Sequence, residues 1–369
     1  MADSEAGSGS GSGFVPRAPL AAEVPEVMDF LDKMLRPNQG WSIAAEYPQV
    51  FAPQNRENLR ILKNDGEVIA HAATKFLIVK NQFGLFKIAA IGSVVTSPKH
   101  RNNGHSQTIL KSCLEIADQE GADFAILWTD MYDLYRKLGF ELAGREISIV
   151  IDAVPELPAH GLKIMQSEKV APEAILRLYA QHPTGTVRTA EDIRRHLSIP
   201  NSKIYTAWDK SNQLLAYAVE GKGADLRGYI HEWSGGVSAL LPLLAHIRKE
   251  YGQAITLIAP TQAQNIIRQL QSWPIIMNEG FLGMIRPVNE HSLFVKITRR
   301  ARQLGINDFV MEKMPTGQVR VGTPNDMIIL NTTAELTRLI FGPHSEGALK
   351  PEYQELFPIP MWIWGWDSV

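Results

Sequence analysis

The chain has 369 residues, 45% hydrophobic and 21% charged, with a formal net charge of −2. That length exceeds one ordinary core, so two or three domains are expected. The near-neutral balance excludes a global basic field that would hold nucleic acid or an anionic membrane. Cys113 is the only cysteine, so no intrachain disulfide forms, which fits a reducing cytoplasm. No apolar run approaches the ~20 residues of a membrane helix. The N-terminus lacks the charged start and apolar core of a signal peptide. Residues 1–22, rich in alternating Gly and Ser, read as a flexible linker.

In chain order, VPEVMDFLDKML puts Val27, Phe30, Leu31 and Leu35 near one helix face. A second short helix is expected across Ser42 to Phe51. NLRILKNDGEVIAHAATKFLIV reads as a hairpin turning at Asp65-Gly66, and a third strand runs from about Leu85 to Thr96. A helix from about Gly104 to Glu120 carries Ile109, Leu110, Cys113, Leu114 and Ala117 on one face, which assigns Cys113 to the core. ADFAILWTD is a buried strand, MYDLYRKLGF a short helix ending at Gly139, and ELAGREISIVID a further strand or hairpin. A similar order recurs: KIYTAWD and LLAYAVEG around a turn, GYIHEWSGG, a helix over Leu240 to Glu250, the strand AITLIAP, a helix near Ala263 to Gln271, and the strand GFLGMIRPV. That recurrence points to a duplicated unit. About 80 residues of mixed helix and strand follow, ending in the aromatic tail MWIWGWDSV, whose rings are expected to be buried.

The stretch VVTSPKHRNNGHSQTIL sits between the third strand and its helix. A helix beginning there exposes its first N–H groups, and those groups with the helix dipole favour an anion. Gly104 lets the backbone approach a bulky anion, and Arg101 adds a fork that suits phosphate oxygens. The turn therefore reads as a pyrophosphate cradle, although it is neither a GxxxxGK[ST] nor a GxGxxG loop. The plainer reading is a strand–helix connection with surface charge. No Cys/His or H-E-x-x-H spacing suggests a metal site.

Two motifs resemble a known family. Arg101, Gly104 and Ser106 occupy the positions of [QR]-x-x-G-x-[GA], the acetyl-CoA signature of GNAT-type N-acetyltransferases, with Ser106 a departure. Tyr135 to Phe140, YRKLGF, resembles that family's Y-x-x-x-G-F. Together with EYPQVF, VIAHAA and SPKHRNNG, the chain is similar to Eis-type acetyltransferases. The resemblance implies an α/β (α+β) GNAT fold with a central mixed sheet. It divides the chain into a GNAT acetyl-CoA-binding catalytic domain at 23–155, a degenerate GNAT-like domain at 160–288 and a small C-terminal α/β domain at 289–369.

Acetyl-CoA is the implied co-substrate, an amine of a small molecule or protein the acceptor, and N-acetyl transfer by direct attack the reaction. A non-catalytic acyl-CoA-binding regulatory module is the alternative. Self-association is left open. The cofactor-binding residues implied are Val94, Val95, Thr96, Arg101, Asn102, Asn103, Gly104, His105 and Ser106. Tyr135 falls at the family's general-acid position, with Tyr132 its rival one turn earlier. The strand LFKIAAIGSVV carries no carboxylate that could act as base. Asp130 is one candidate, or else the N-cap of the following helix. The family resemblance implies another, the terminal carboxylate of Val369. His231-Glu232-Trp233 precedes Gly235-Gly236 with no Arg before the glycines, so the second unit is expected to bind no acetyl-CoA.

Overall fold

The computed structural model describes residues 15–157, 161–167, 169–344 and 349–369. Of the expected linker 1–22, residues 1–14 lie outside the described residues. The described remainder is docked: Arg17 and Ile61 exchange backbone hydrogen bonds of 3.2 and 2.9 Å, and the Arg17 guanidinium meets Glu23 at 2.7 Å.

Helices α1 (Val24–Leu35) and α2 (Ile43–Glu46) lead into strands β1 (Leu59–Asn64), β2 (Glu67–Asn81) and β3 (Gly84–Thr96). Then come α3 (His105–Gln119), β4 (Phe124–Leu127), α4 (Tyr132–Arg136), β5 (Glu141–Ala143) and β6 (Glu146–Ile151). The next stretch holds β7 (Lys163–Gln166), α5 (Pro172–Tyr179), β8 (Gly185–Thr186), α6 (Ala190–His196), β9 (Lys203–Trp208), β10 (Leu214–Lys222) and β11 (Asp225–Gly235). It continues through α7 (Val237–Tyr251), β12 (Ile255–Pro260), α8 (Gln264–Leu270), β13 (Ile275–Gly280) and β14 (Gly283–Pro287). The last part contains α9 (Glu290–Gln303), β15 (Val310–Lys313), β16 (Val319–Thr323), β17 (Asp326–Leu330) and α10 (Thr333–Phe341).

Two mixed sheets repeat one plan. The first runs β1-β2-β3-β4-β14-β5, with β8 on β2; the second runs β13-β6-β12-β11-β10-β9-β7. In each, three antiparallel strands are followed by a helix and a parallel strand: β1-β2-β3, α3 and β4, then β9-β10-β11, α7 and β12. The Asp65-Gly66 turn has φ of 48° and 87°, the left-handed pair a tight hairpin demands.

The segment ELAGREISIVID divides at Gly144. β5 stays in the first sheet, while β6 crosses to the second and pairs with β12 and β13. In return GFLGMIRPV, expected to complete the second unit, sends β14 between β4 and β5 of the first. The crossing chains touch: a Cβ on Gly144, at φ +72°, would lie 2.5 Å from Leu282 Cβ, and one on Gly283 would lie 2.9 Å from the Leu127 carbonyl. Glycine at both points permits that approach. The final β15-β16-β17 sheet shares one continuous apolar core with the second sheet through Phe309, Met311, Val321, Leu336 and Ile340.

Candidate active site

The site forms where β3 parts from β4. Their parallel register runs only from Ile88↔Phe124 to Ala90↔Ile126. From Ile91 to Thr96, β3 has a strand partner among the described residues only on its β2 side, leaving one edge of backbone groups without a ladder. The register slips between His71↔Val95 and Ala73↔Gly92, so β3 bulges, and Ser93 takes φ 50°. His71 is fully buried and its Nδ1 lies 2.9 Å from the Ser93 carbonyl. Burial pushes its pKa down to about 4, so the neutral ring donates Nδ1–H to that carbonyl and holds the bulge.

Val94, Val95 and Thr96 lie on this edge. Val94 packs against the cluster beneath α3, whereas Val95 packs with Val27 and Leu31 of α1. Thr96 Oγ1 is 2.9 Å from Ser106 Oγ, so the departure from Gly or Ala at Ser106 ties the end of β3 to the first turn of α3. Between them Arg101, Asn102, Asn103 and Gly104 are exposed. Arg101 Nε donates to the Thr96 carbonyl at 3.3 Å, and Asn103 Nδ2 to the His100 carbonyl at 3.4 Å. Asn102 and Gly104 take φ of 64° and 77°. Gly104 is the N-cap of α3, and among the described residues no side chain caps that helix and a Cβ on Gly104 would meet nothing within 4 Å. His105 is buried, so only its backbone is available to a ligand at this turn.

Tyr135 is buried in the cluster that Val94 covers, with its ring edge-on to Phe140 at 6.1 Å. Burial, then the neighbouring Cys113, raises its pKa above the ordinary phenol value. Its rival Tyr132 is exposed, with the Arg136 guanidinium 5.9 Å from its ring. Asp130 is exposed and does not cap α4; the N-cap is Met131, whose N–H donates to Thr129 Oγ1 at 2.9 Å. Cys113 is buried on α3, and burial lifts its thiol to about 11.

The C-terminal tail is buried, with Trp362, Trp364 and Trp366 at 1%, 0% and 3% exposure. It ends on β3. A Cβ on Gly92 would lie 2.6 Å from the Val369 carboxyl carbon and 2.8 Å from its oxygen. Val369 also packs on Val50, Leu59 and Ala73. Ala73 faces Gly92 across the ladder, whereas Ala72 belongs to the α3-side cluster. Val369 and Tyr135 therefore belong to apolar clusters on opposite faces of the first sheet.

Sequence reading missed what holds this tail. His231-Glu232-Trp233, on β11, is a clamp. Glu232 accepts from Arg188 at 2.8 and 3.0 Å and from the Tyr217 hydroxyl at 3.0 Å. Arg188 also donates to Asp367 at 2.9 and 2.7 Å. His231 lies against Gly365, where a Cβ would come within 2.2 Å of Nδ1. Lys222 Nζ donates to the carbonyls of Gly365, Trp366 and Ser368 at 2.9, 3.3 and 2.7 Å. Burial pushes the Lys222 pKa down to about 7. The only signal in the sequence was the run of charged residues inside otherwise apolar strands. A groove of about 1250 Å³ between α3 and α9 includes none of the expected site residues.

Residues 21–143 match the acetyltransferase (GNAT) domain family. The fold is similar to that of a GCN5-related N-acetyltransferase from Anabaena variabilis ATCC 29413, with 15% identity and a TM-score of 0.64 over 96% of this chain and 100% of that one. It is also similar to a protein of unknown function from Enterococcus faecalis V583 described as a probable N-acyltransferase, at 15% identity and a TM-score of 0.58 over 86% and 85%. Eis1 from Mycobacterium abscessus shares 13% identity and a TM-score of 0.55 over 86% and 85%. No curated protein sequence matches the chain.

Proposed function

Because the chain carries a GNAT acetyltransferase domain within an Eis-like tandem fold, we propose that it transfers an acetyl group from acetyl-CoA to an amine. Acetyl-CoA supplies an acyl group on a thioester. The residues present fit it. The uncapped N-terminus of α3, with Gly104 open to approach and Arg101 beside it, suits a pyrophosphate. The unpaired β3 edge from Ile91 to Thr96 suits an extended amide-bearing arm.

The observation that carries the reading is the seat of the Val369 carboxyl group against Gly92. In its ionised form a terminal carboxylate has two oxygens that can accept a proton. Val369 takes the proton of the amine as the new N–C bond forms. Tyr135 gives its proton to the sulfur as the C–S bond breaks, and burial, which raises its pKa, favours the protonated phenol that this step needs. The Arg188, Glu232 and Lys222 clamp holds the tail in advance, which limits the entropy lost in reaching reactive geometry.

The test is free-thiol release from acetyl-CoA with a panel of amines. It compares the full chain, a chain lacking Val369 and a chain extended past Val369. Both altered chains should bind acetyl-CoA with near-normal affinity and lose turnover by ~10²-fold. Acetyl-CoA binding without turnover by the full chain on any amine would favour a non-catalytic acyl-CoA-binding module instead.

A further inference from the structure

We infer that the acceptor is a zwitterion, a primary amine bearing a carboxylate such as a small amino acid, with Lys75 receiving its anionic group; this rests on the transferase reading above. A small pocket beside the tail is lined by Tyr47, Gln49, Lys75, His196, Ser368 and Val369. Lys75 rises from the same face of β2 as Ala73, two residues on, and Ala73 packs on Val369.

Every other charge facing this pocket is already matched. Glu46 accepts from Arg36 and from Trp41, each at 2.6 Å, and from the Ala224 N–H at 3.0 Å. Asp367 is held by Arg188. Asp192 accepts from Thr189 at 2.8 and 2.7 Å and from Gln49 at 3.2 Å. His196 Nε2 lies 3.1 Å from Gln49, and burial, then the charge of Arg188, holds its ring neutral. Lys222 is spent on the tail carbonyls. Arg195 reaches Glu191 at 3.4 Å.

Two charges remain. Among the described residues neither the half-buried Lys75 ammonium nor the Val369 carboxylate makes a hydrogen bond or ion pair, and Asp192 and Asp367 act on Lys75 only by a longer-range attraction that does not offset its burial. Unmatched charges withdrawn from water are costly, and a ligand that pairs both gains most from binding. An amine aimed at Val369 with an anion aimed at Lys75 meets both. A neutral analogue leaves Lys75 unpaired and is rejected for that reason. The pocket holds about 10 Å³, roughly one water, and is partly open, so a small acceptor lies across its mouth with only its charged groups turned toward Lys75 and Val369.

The experiment measures kcat/KM by free-thiol release with L-alanine and L-alaninamide, which differ in the anionic group. The full chain should prefer alanine at least tenfold. Lys75→Met should cut that ratio at least tenfold, chiefly through KM for alanine, and Lys75→Arg should restore most of it. Equal or better use of the amide, or an unchanged ratio in Lys75→Met, overturns the inference while leaving acetyl transfer to amines intact. Absence of thiol release with alanine, alaninamide and cadaverine alike is a failure of the transferase reading. Calorimetry of alanine against alaninamide then decides the zwitterion question alone: tighter binding of alanine, lost in Lys75→Met, supports it, and indifference overturns it.

Discussion

Gly92→Ala is the most direct probe of the terminal carboxylate. The backbone there is not left-handed, so alanine brings no torsional strain. Its Cβ, however, would sit 2.6 Å from the Val369 carboxyl carbon and 3.1 Å from Val369 Cγ2. Carbon atoms rest at ~3.5–4.0 Å, so the carboxyl must move by about 1 Å. The rest of the tail cannot slide with it, because Lys222 holds the Ser368 carbonyl at 2.7 Å and Arg188 holds Asp367. The displacement therefore falls on Val369 itself. A shift of ~1 Å in a reacting group costs up to ~10²-fold in rate. We expect kcat to fall ~10- to 100-fold, with the acetyl-CoA Kd and the Tm close to those of the parent. In a chain already lacking Val369, the same substitution should add almost nothing, since both changes act on one group. A Gly92→Ala protein with parental kcat would refute the assignment of Val369 as base.

Tyr135→Phe should lower kcat by ~10²-fold with little change in KM for acetyl-CoA; near-parental kcat would leave the ring as core packing alone. Gly104→Glu should abolish acetyl-CoA binding by calorimetry, because it puts a side chain and a negative charge where φ is +77° and the space is open. Arg101→Ala should weaken that binding by ~1–3 kcal/mol, and unchanged affinity in both variants would remove the cradle from the site. Acid should destabilise the fold in a defined window. Burial holds His71 and His182 at about 4 and His231 at about 3, so below the ordinary value of ~6.5 the unfolded chain binds protons the folded one does not. Stability is then lost as pH falls from ~6.5 towards ~4, at up to ~1.4 kcal/mol per pH unit for each histidine. Denaturant titrations at pH 7 and pH 5 measure the difference, and equal midpoints would contradict the burial argument.

Features set by neighbouring residues were readable from the chain alone. Asp65-Gly66 specified its hairpin, Ile109 to Ala117 specified the buried face of α3, and Arg101 to Ser106 marked the uncapped helix start. The three tryptophans announced a buried tail, because rings of that size in an apolar run are costly to leave in water. The strand exchange was not readable. The apolar pattern of β6 and β14 does not say which sheet each joins, and the close passages of Gly144 against Leu282 and of Gly283 against the Leu127 carbonyl mark the crossed arrangement. His231-Glu232-Trp233 looked like an incomplete cradle because its partners, Arg188 and Gly365, lie far away in sequence. The same holds for Gly92, whose missing Cβ makes room for the last residue of the chain. Periodicity and capping are written in residues three or four apart, whereas the meeting of Val369 with Gly92, and of Lys222 with the tail, exists only once the two sheets have packed and brought those distant segments together.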